Sequence, residues 1–478
     1  MQIQTDQRLL SELEWQQLQA EAASLLVRGS AKVVATCLDN TPAFLAIDAA
    51  AQNLGLVHVP LPVFFTPEQL QHALQSAGVD TLIVNISVAS NWKQAPRVDF
   101  SLLDEHLVCI SLANQPCDVH KGTSKITFTS GTTAQPKGVC LSVASMLAVA
   151  KSLAVATQPM RLTRHLNALP FAVLLENIAG VMAPAEIGAT LITLPLAQLG
   201  WRGASGFDVA IFHAAVLKYE PTSMVLLPQM LRAWCVYLTQ TQQTAPTCLR
   251  MVAVGGAPVG ETLIHQAHQL GLPAFEGYGL SEGSSVQTLN LPQQIRAGSV
   301  GKPLPHAKVR IAEDGEIEVS GSLMLGYLGQ EPLTNDWWPS GDLGRLDKDG
   351  YLHIEGRKKN VLITSFGRNV SPEWIETVLR SSPSIREAVV FGNGQPQLSA
   401  VIWPMITGIS SDELADVIAS AVDAANAQFP DYARIAKHVV ADLPFNVQSG
   451  MSTANGRPQR QAIFQTYANS LGLQESTI

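Results

Sequence analysis

Between Lys32 and Glu276 short apolar runs alternate with longer amphipathic or alanine-rich ones, and this alternation limits the possible folds more than any other property of the chain. Lys32–Cys37 reads as a buried strand, Ala43–Leu54 as a helix and Val57–Val63 as extended chain. Thr66 is placed to cap the next helix, Pro67 suits its first turn, and Gln69 stands where a capping-box partner belongs. Gly78 ends that helix and Val79–Ile86 is the following strand. The rhythm returns at Thr222–Leu227, Gln229–Thr239, Leu249–Val254, Glu261–Leu270 and Pro273–Glu276. Strand–helix alternation of this kind makes parallel or mixed sheets covered by helices.

After about Gly298 the texture changes to short strands, at Lys308–Ile311, Gly315–Val319 and Tyr351–Glu355, with hairpin turns at Glu313-Asp314-Gly315 and Lys348-Asp349-Gly350. A basic knot, Arg357-Lys358-Lys359, precedes a helix opened by Ser371-Pro372-Glu373, strands at Ala388–Phe391 and Leu398–Trp403, a helix at Ser411–Gln428 and an irregular tail. A chain of 478 residues is too long for one ordinary core. We place the boundary near Gly356–Asn360, giving a large domain over 1–356 and a small one over 357–478.

With 46% hydrophobic and 15% charged residues the chain is not disordered. A net charge of −8 argues against a general nucleic-acid binder and leaves room for a basic pocket. Met1–Trp15 is polar and acidic, unlike a signal peptide. The most apolar stretch, Leu166–Leu199, holds Glu176 and Glu186 and is broken by three prolines, so it reads as buried helix and strand and not as a membrane span. The expectation is a soluble cytoplasmic protein. Its six cysteines form no C-x-x-C pair and read as mostly buried thiols in a reducing compartment.

The strongest local signal is the run Thr129-Ser130-Gly131-Thr132-Thr133-Ala134-Gln135-Pro136-Lys137-Gly138, entered from a β run at Lys125 and followed by an apolar helical stretch, Val143–Val155. Small residues let backbone N–H groups approach an anion, hydroxyls donate to its oxygens, and Lys137 adds positive charge. No Gly-Lys-Ser/Thr closes the run, so it is not a Walker A loop. Downstream, Glu276-Gly277-Tyr278-Gly279-Leu280-Ser281-Glu282 sets an aromatic ring between two flexible residues and ends on a carboxylate. Val254-Gly255-Gly256-Ala257-Pro258 follows a strand, and Ser340-Gly341-Asp342 brings a further carboxylate next to a glycine.

The run at Thr129 resembles the phosphate-binding signature of the adenylate-forming (AMP-binding) superfamily, which includes acyl- and aryl-CoA synthetases, peptide-synthetase adenylation domains and luciferases. Its pattern is Thr-Ser-Gly-Thr-Thr-Gly-x-Pro-Lys-Gly, and Ala134 here stands in place of a glycine. The other blocks are similar to the family's and come in its order, ending with Gly356-Arg357-Lys358-Lys359 and Gly367-Arg368-Asn369-Val370-Ser371-Pro372-Glu373-Trp374-Ile375-Glu376. The resemblance covers essentially the whole chain. It implies an α/β fold, a large N-terminal domain of mixed sheets layered with helices plus a small mobile α+β C-terminal lid.

It also implies site roles. Thr129, Ser130, Gly131, Thr132, Thr133 and Lys137 would hold the phosphates, with Thr132, Lys137, Glu282 and Arg457 serving catalysis. Gly256, Ala257, Glu276, Gly277, Tyr278, Gly279, Ser281, Asp342 and Arg357 would hold the nucleoside, and Glu282 the magnesium. Lys359 would be the hinge, and Gly367 would lie on the loop facing the thiol acceptor. An acyl pocket is expected behind Pro170–Asn177, at Phe171, Leu175 and Asn177, with Val286, Leu289, Leu227 and Met230 as further lining or as core. Glu176 is an ambiguous candidate partner for an amino group. One departure stands out: the string Asn455-Gly456-Arg457 puts arginine where the family keeps lysine.

The activity implied is ATP- and magnesium-dependent conversion of a carboxylic acid, medium- or long-chain or otherwise hydrophobic, to acyl-AMP, followed by transfer to the thiol of CoA. Two alternatives stay open: loading of a phosphopantetheinyl acyl carrier protein, and a nucleotide-binding homologue that no longer adenylates.

Overall fold

The computed structural model describes residues 1–86, 88–92, 95–129, 136–203, 206–406, 408–453 and 456–473. Within these, the alternating region builds two sheets. The first runs Gly326–Tyr327, Lys137–Ser142, Thr123–Thr129, Val57–Pro60, Val33–Cys37, Thr81–Asn85, Glu105–Ser111, Arg97–Leu102, with a parallel centre. The second places Arg164–Leu166, Ser223–Leu226, Met251–Val254 and Ala274–Leu280 side by side and parallel, with Thr190–Ile192 beyond Arg164–Leu166 and the antiparallel Ser285–Leu289 on the other flank. Parallel strands buried on both faces read as near-continuous apolar runs, as Ser223–Leu226 and Met251–Val254 do. Two of the parallel strands end at Leu227 and Gly255, beside the Gly277–Gly279 stretch of Ala274–Leu280, and open α/β sheets bind ligands at that carboxyl edge.

The capping signals around Thr66 are borne out. Thr66 Oγ1 accepts from the Gln69 amide at 3.3 Å and Gln69 Oε1 from the Thr66 amide at 3.1 Å, opening the helix Pro67–Ser76. Gly78 has φ +59°, and a Cβ there would sit 2.6 Å from the Cys117 amide nitrogen. Leu166–Leu199 is buried helix and strand, but its helix is unusual: Glu176–Met182 is a π-helix that runs into the short α-helix Ala183–Glu186. By length and composition one helix among the described residues, Val143–Met160, could cross a membrane; its inward face of Met146, Val149, Ala150 and Leu153 is packed in the core. All six cysteines are free, three buried and three half-buried.

A four-stranded sheet, Ala307–Ile311, Glu316–Gly321, Trp338–Leu346 and Leu352–Arg357, leads to the small domain. There the strands Ile385–Phe391, Leu398–Pro404 and Ile435–Val440 pack against the helices Pro372–Leu379, Ser411–Asn426 and Arg460–Leu471. The tail is therefore not irregular: it supplies a strand and a helix. Ile463, Phe464, Tyr467 and Leu471 fall at helical spacing and are buried, and Gly472 ends the helix at φ +73°.

A polar network lies inside the large domain. Asp48 bonds His58 Nδ1 at 2.6 Å, His58 Nε2 meets Thr36 Oγ1 at 2.9 Å, and Lys125 Nζ donates to Asp48 at 2.9 Å and to Asn177 Oδ1 at 2.5 Å. Burial would raise the Asp48 carboxyl, but Lys125, His58 and Asn177 outweigh it and hold it well below the usual range. The network ties the strand that enters the Thr129 run to the π-helix. Asp48→Asn leaves the Lys125 ammonium buried without its counter-charge, so we expect a loss of about 3–5 kcal/mol in chemical denaturation.

Candidate active site

The carboxyl edge of the second sheet gathers residues from separate motifs. After Val254 the chain turns with Gly256 at φ +85°. A Cβ on Gly279 would run into the carbonyl of Ser285, where the pairing of Ala274–Leu280 with Ser285–Leu289 shifts register. That shift sets Tyr278 so that its hydroxyl donates to Asp342 Oδ2 at 2.7 Å. Arg357 Nε donates to Asp342 Oδ1 at 2.8 Å and Nη1 to the Ser340 carbonyl at 3.3 Å. Burial raises the Asp342 carboxyl above its ordinary value, against the pull of Arg357 and Tyr278. Beneath them Glu276 Oε1 accepts from the Val259 amide at 3.2 Å and so braces the Gly255–Val259 turn; burial pushes its carboxyl up to about 7.

Thr123–Thr129 and Lys137–Ser142 pair as a hairpin with Thr129 opposite Lys137, so the Ser130–Gln135 run joins its two strands. Ser130, Gly131, Thr132 and Thr133 lie outside the described residues, as does the side chain of Thr129. Lys137 Nζ stands 5.2 Å from the centre of the Tyr327 ring, and the Tyr327 hydroxyl donates to Glu282 Oε1 at 2.6 Å. Ser281 and Glu282 are half-buried on a one-turn 3-10 helix beside them. No group of three or more His, Cys, Asp or Glu placed to hold a metal ion is found among the described residues. Glu282 fits magnesium as a single carboxylate donor with phosphate oxygens and water completing the shell, which is how that ion is commonly held. Tyr327 was not anticipated; it lies far from both partners in sequence on a two-residue strand, and no motif marks it.

The small domain reaches the same edge. Arg457 Nη2 donates to the Gly256 carbonyl at 2.9 Å. Its pKa is lowered by lost hydration and then by Arg357, against Asp342 and Glu282, and all four residues line one cleft. Lys359 lies on the turn Lys358–Asn360; lost hydration and then Arg357 lower its pKa, against Glu373. Lys358 Nζ pairs with Asp314 at 2.6 Å and Glu316 at 2.7 Å on the large domain. Gly356 is needed where it is, because a Cβ would collide with Ser371 Oγ. Gly367, at φ +71°, sits on an exposed hairpin tip next to Phe366 and is not on the cleft wall.

A cleft of about 2490 Å³ runs from these groups along the sheet, lined by Ala257, Gly277, Leu175, Leu227, Met230, Val286 and Leu289 among others. Two expected pocket residues point elsewhere. Phe171 is buried against Phe44, ring centres 5.4 Å apart, because its side of the chain faces the first sheet. Asn177 belongs to the Asp48–Lys125 network, with Nδ2 3.0 Å from Asp48 Oδ2. Glu176 is likewise buried and off the cleft wall. Its Oε1 accepts from Asn167 Nδ2 at 2.9 Å, its Oε2 is buried without a partner, and burial pushes its carboxyl up to about 8.

The fold and this edge define an adenylate-forming enzyme, and comparison with known proteins gives the same class. The description "AMP-binding enzyme" matches residues 11–328, and "AMP-binding enzyme C-terminal domain" matches 359–472. The chain belongs to the AMP-binding enzyme family. It is 35% identical over 247 residues to the long-chain-fatty-acid–CoA ligase FadD15 of Mycobacterium bovis, covering 46% of this chain and 41% of that one. It is 28% identical over 399 residues to the 2-succinylbenzoate–CoA ligase of Bacillus mycoides, covering 76% and 75%. The chain thus spans less than half the length of the mycobacterial relative. Among solved structures, the anthranilate CoA ligase AuaEII bound to anthranoyl-AMP has a TM-score of 0.79 at 18% identity, covering 98% and 95% of the two chains. The o-succinylbenzoate CoA synthetase of Bacillus subtilis with its acyl-adenylate has 0.76 at 23%, covering 96% and 94%. These likenesses carry the fold.

Glu176 gives a pH test. A carboxyl that folds with its pKa raised from 4.5 to about 8 adds stability in full below pH 4.5, lost as pH rises through 8. Denaturant melts between those values should fall by up to about 1.4 kcal/mol per pH unit from this group, and Glu176→Gln should flatten that slope.

Proposed function

We propose that the chain is an AMP-forming acid–thiol ligase that couples a carboxylic acid to AMP and then transfers the acyl group to CoA. The observation that carries this reading is the meeting of Tyr278, Asp342, Arg357 and Arg457 at one end of a cleft whose adjoining wall is apolar. Adenine lies between the Gly256–Ala257 turn and Tyr278, and the ribose hydroxyls donate to Asp342. The triphosphate follows the Thr129–Gly138 hairpin, where Lys137 adds positive charge. Magnesium, held by Glu282, supplies further charge neutralisation on the phosphates when bound.

An oxygen of the substrate carboxylate forms a bond to the α-phosphorus while the bond to the bridging oxygen of pyrophosphate breaks. The protein's part is alignment and stabilisation of the charge that builds on the phosphoryl oxygens. Arg457 faces that point; the Gly256 carbonyl takes one of its five N–H donors and leaves others for oxygen. In the second half-reaction the thiol attacks the acyl carbon and AMP leaves. Gly367 stands off the cleft while Arg457 is on it, so a turn of the small domain about Lys359 exchanges the two between half-reactions. The apolar wall at Leu175, Leu227, Val286 and Leu289 suits a hydrophobic acid, alkyl or aryl, and the relatives' names span both kinds. The cytoplasm, which supplies both ATP and CoA, is the location we propose for the reaction.

Acid-dependent exchange of labelled pyrophosphate into ATP tests the first half-reaction. We expect exchange with at least one hydrophobic acid, and a loss of about 10²–10³ in Arg457→Ala, the size seen when one oxyanion donor is removed. ATP binding without exchange across an acid panel would make the chain a nucleotide-binding protein instead. Thioester formation with CoA, against none with a phosphopantetheinyl carrier protein, fixes the acceptor.

A further inference from the structure

Glu282 is held in place by a stretch of chain that no motif covers. Its backbone carbonyl accepts from the Met324 amide at 2.7 Å, and its Oε1 accepts from the Tyr327 hydroxyl at 2.6 Å. The same stretch is bound to the outgoing strand of the Thr129–Gly138 hairpin. The Leu325 and Leu328 amides donate to the carbonyls of Cys140 and Gly138, each at 2.8 Å, and Tyr327 pairs with Val139. Residues 324–328 therefore fasten Glu282 to the strand that begins with Lys137.

Tyr327 itself has little freedom. His120 Nε2 donates to its carbonyl at 3.0 Å, and the Trp338 ring stands edge-on to its ring, centres 5.8 Å apart. Its neighbour must be Gly326, because a Cβ there would lie 2.5 Å from His120 Nε2. Tyr327 and Glu282 are both half-buried and both line the cleft, so the pair faces open space. A glutamate carboxylate can swing on its stem and can bind an ion through one oxygen or two. The bond from the phenol fixes the carboxylate plane and commits Oε1, which leaves Oε2 to an ion. Magnesium demands near-ideal octahedral geometry and keeps several waters, whereas calcium accepts both oxygens of one carboxylate.

We propose that Tyr327 is a positioning residue for the first half-reaction: its hydroxyl holds Glu282 as a one-oxygen donor and so sets the preference of the site for magnesium over a larger divalent cation. The inference rests on the ligase reading, with Glu282 as the magnesium residue, and adds the group that orients it. Tyr327 acts through Glu282. Tyr327→Phe removes the hydroxyl and keeps the ring, with its contacts to Lys137 and Trp338.

The test is calorimetric binding of an unreactive ATP analogue, with a methylene group bridging its α- and β-phosphates, in EDTA, in excess magnesium and in excess calcium. The gain in affinity on adding each ion is a ratio of dissociation constants within one variant, so it does not depend on how much of that variant is folded. In Tyr327→Phe we expect the magnesium gain to fall about tenfold, the lower end of what loss of a partner to a metal ligand costs. The calcium gain should fall clearly less, because Oε1 is released to bind as well. On a Glu282→Ala background Tyr327→Phe should lower the magnesium gain no further. No magnesium gain in the unmodified protein, an unchanged gain in Tyr327→Phe, equal losses for the two ions, or a further loss on the Glu282→Ala background overturns the inference and leaves the ligase reading intact. No binding of the analogue to the unmodified protein in any of the three conditions overturns both.

Discussion

The site depends on one buried carboxylate. Asp342 is 6% exposed, and each of its oxygens is claimed by a different part of the chain, one by Tyr278 and the other by Arg357. Withdrawing a carboxylate from water costs several kcal/mol unless it is paired and hydrogen-bonded, so the arrangement holds only while all three residues are in register. Tyr278 is on the large sheet, and Arg357 ends the last strand before the small domain. The Arg357 amide in turn lies 3.5 Å from Glu373 Oε2 on the small domain's first helix. The charge pair of Asp342 and Arg357 therefore also aligns the joint between domains.

Arg457 fits that geometry. A lysine is a compact point charge, whereas the planar guanidinium can rest on a carbonyl and still present donors toward the cleft. Its contact with Gly256 bridges the turn after Val254 and the small domain. Arg232 of the helix Pro228–Thr241 makes a second such bridge to the carbonyl of Arg380. Together with the Lys358 pairs these contacts describe a chain closed with its Arg457 face inward and its Gly367 hairpin outward.

Much of this was legible in the sequence where local chemistry decides the outcome. The Thr66–Gln69 capping box, the glycines flanking Tyr278 and the hairpin turns at Gly315 and Gly350 each act over a few residues, and they hold. The meeting of Tyr278 and Asp342 across 64 positions followed from motif order and not from any spacing. What was not legible depends on which face of an element is turned inward. Phe171 and Leu175 sit in one apolar stretch, yet the first packs on Phe44 and the second on the cleft, and the π-helix shifts side-chain directions in a way no 3.6-residue period reveals. Asn177 was claimed by a charged network whose members Asp48, His58 and Lys125 are scattered through the first domain. The tail's helix was legible in principle, through Ile463, Phe464, Tyr467 and Leu471, but its first turn is polar and lacks a capping residue.

The central claim is that the Tyr278–Asp342–Arg357 cluster receives the nucleoside. A crystal structure of the protein with AMP bound measures it most directly. We expect the ribose hydroxyls within hydrogen-bonding distance of the Asp342 carboxylate and the adenine against Tyr278 and the Gly256–Ala257 turn. AMP bound elsewhere, with Asp342 still held only by Tyr278 and Arg357, would contradict the account.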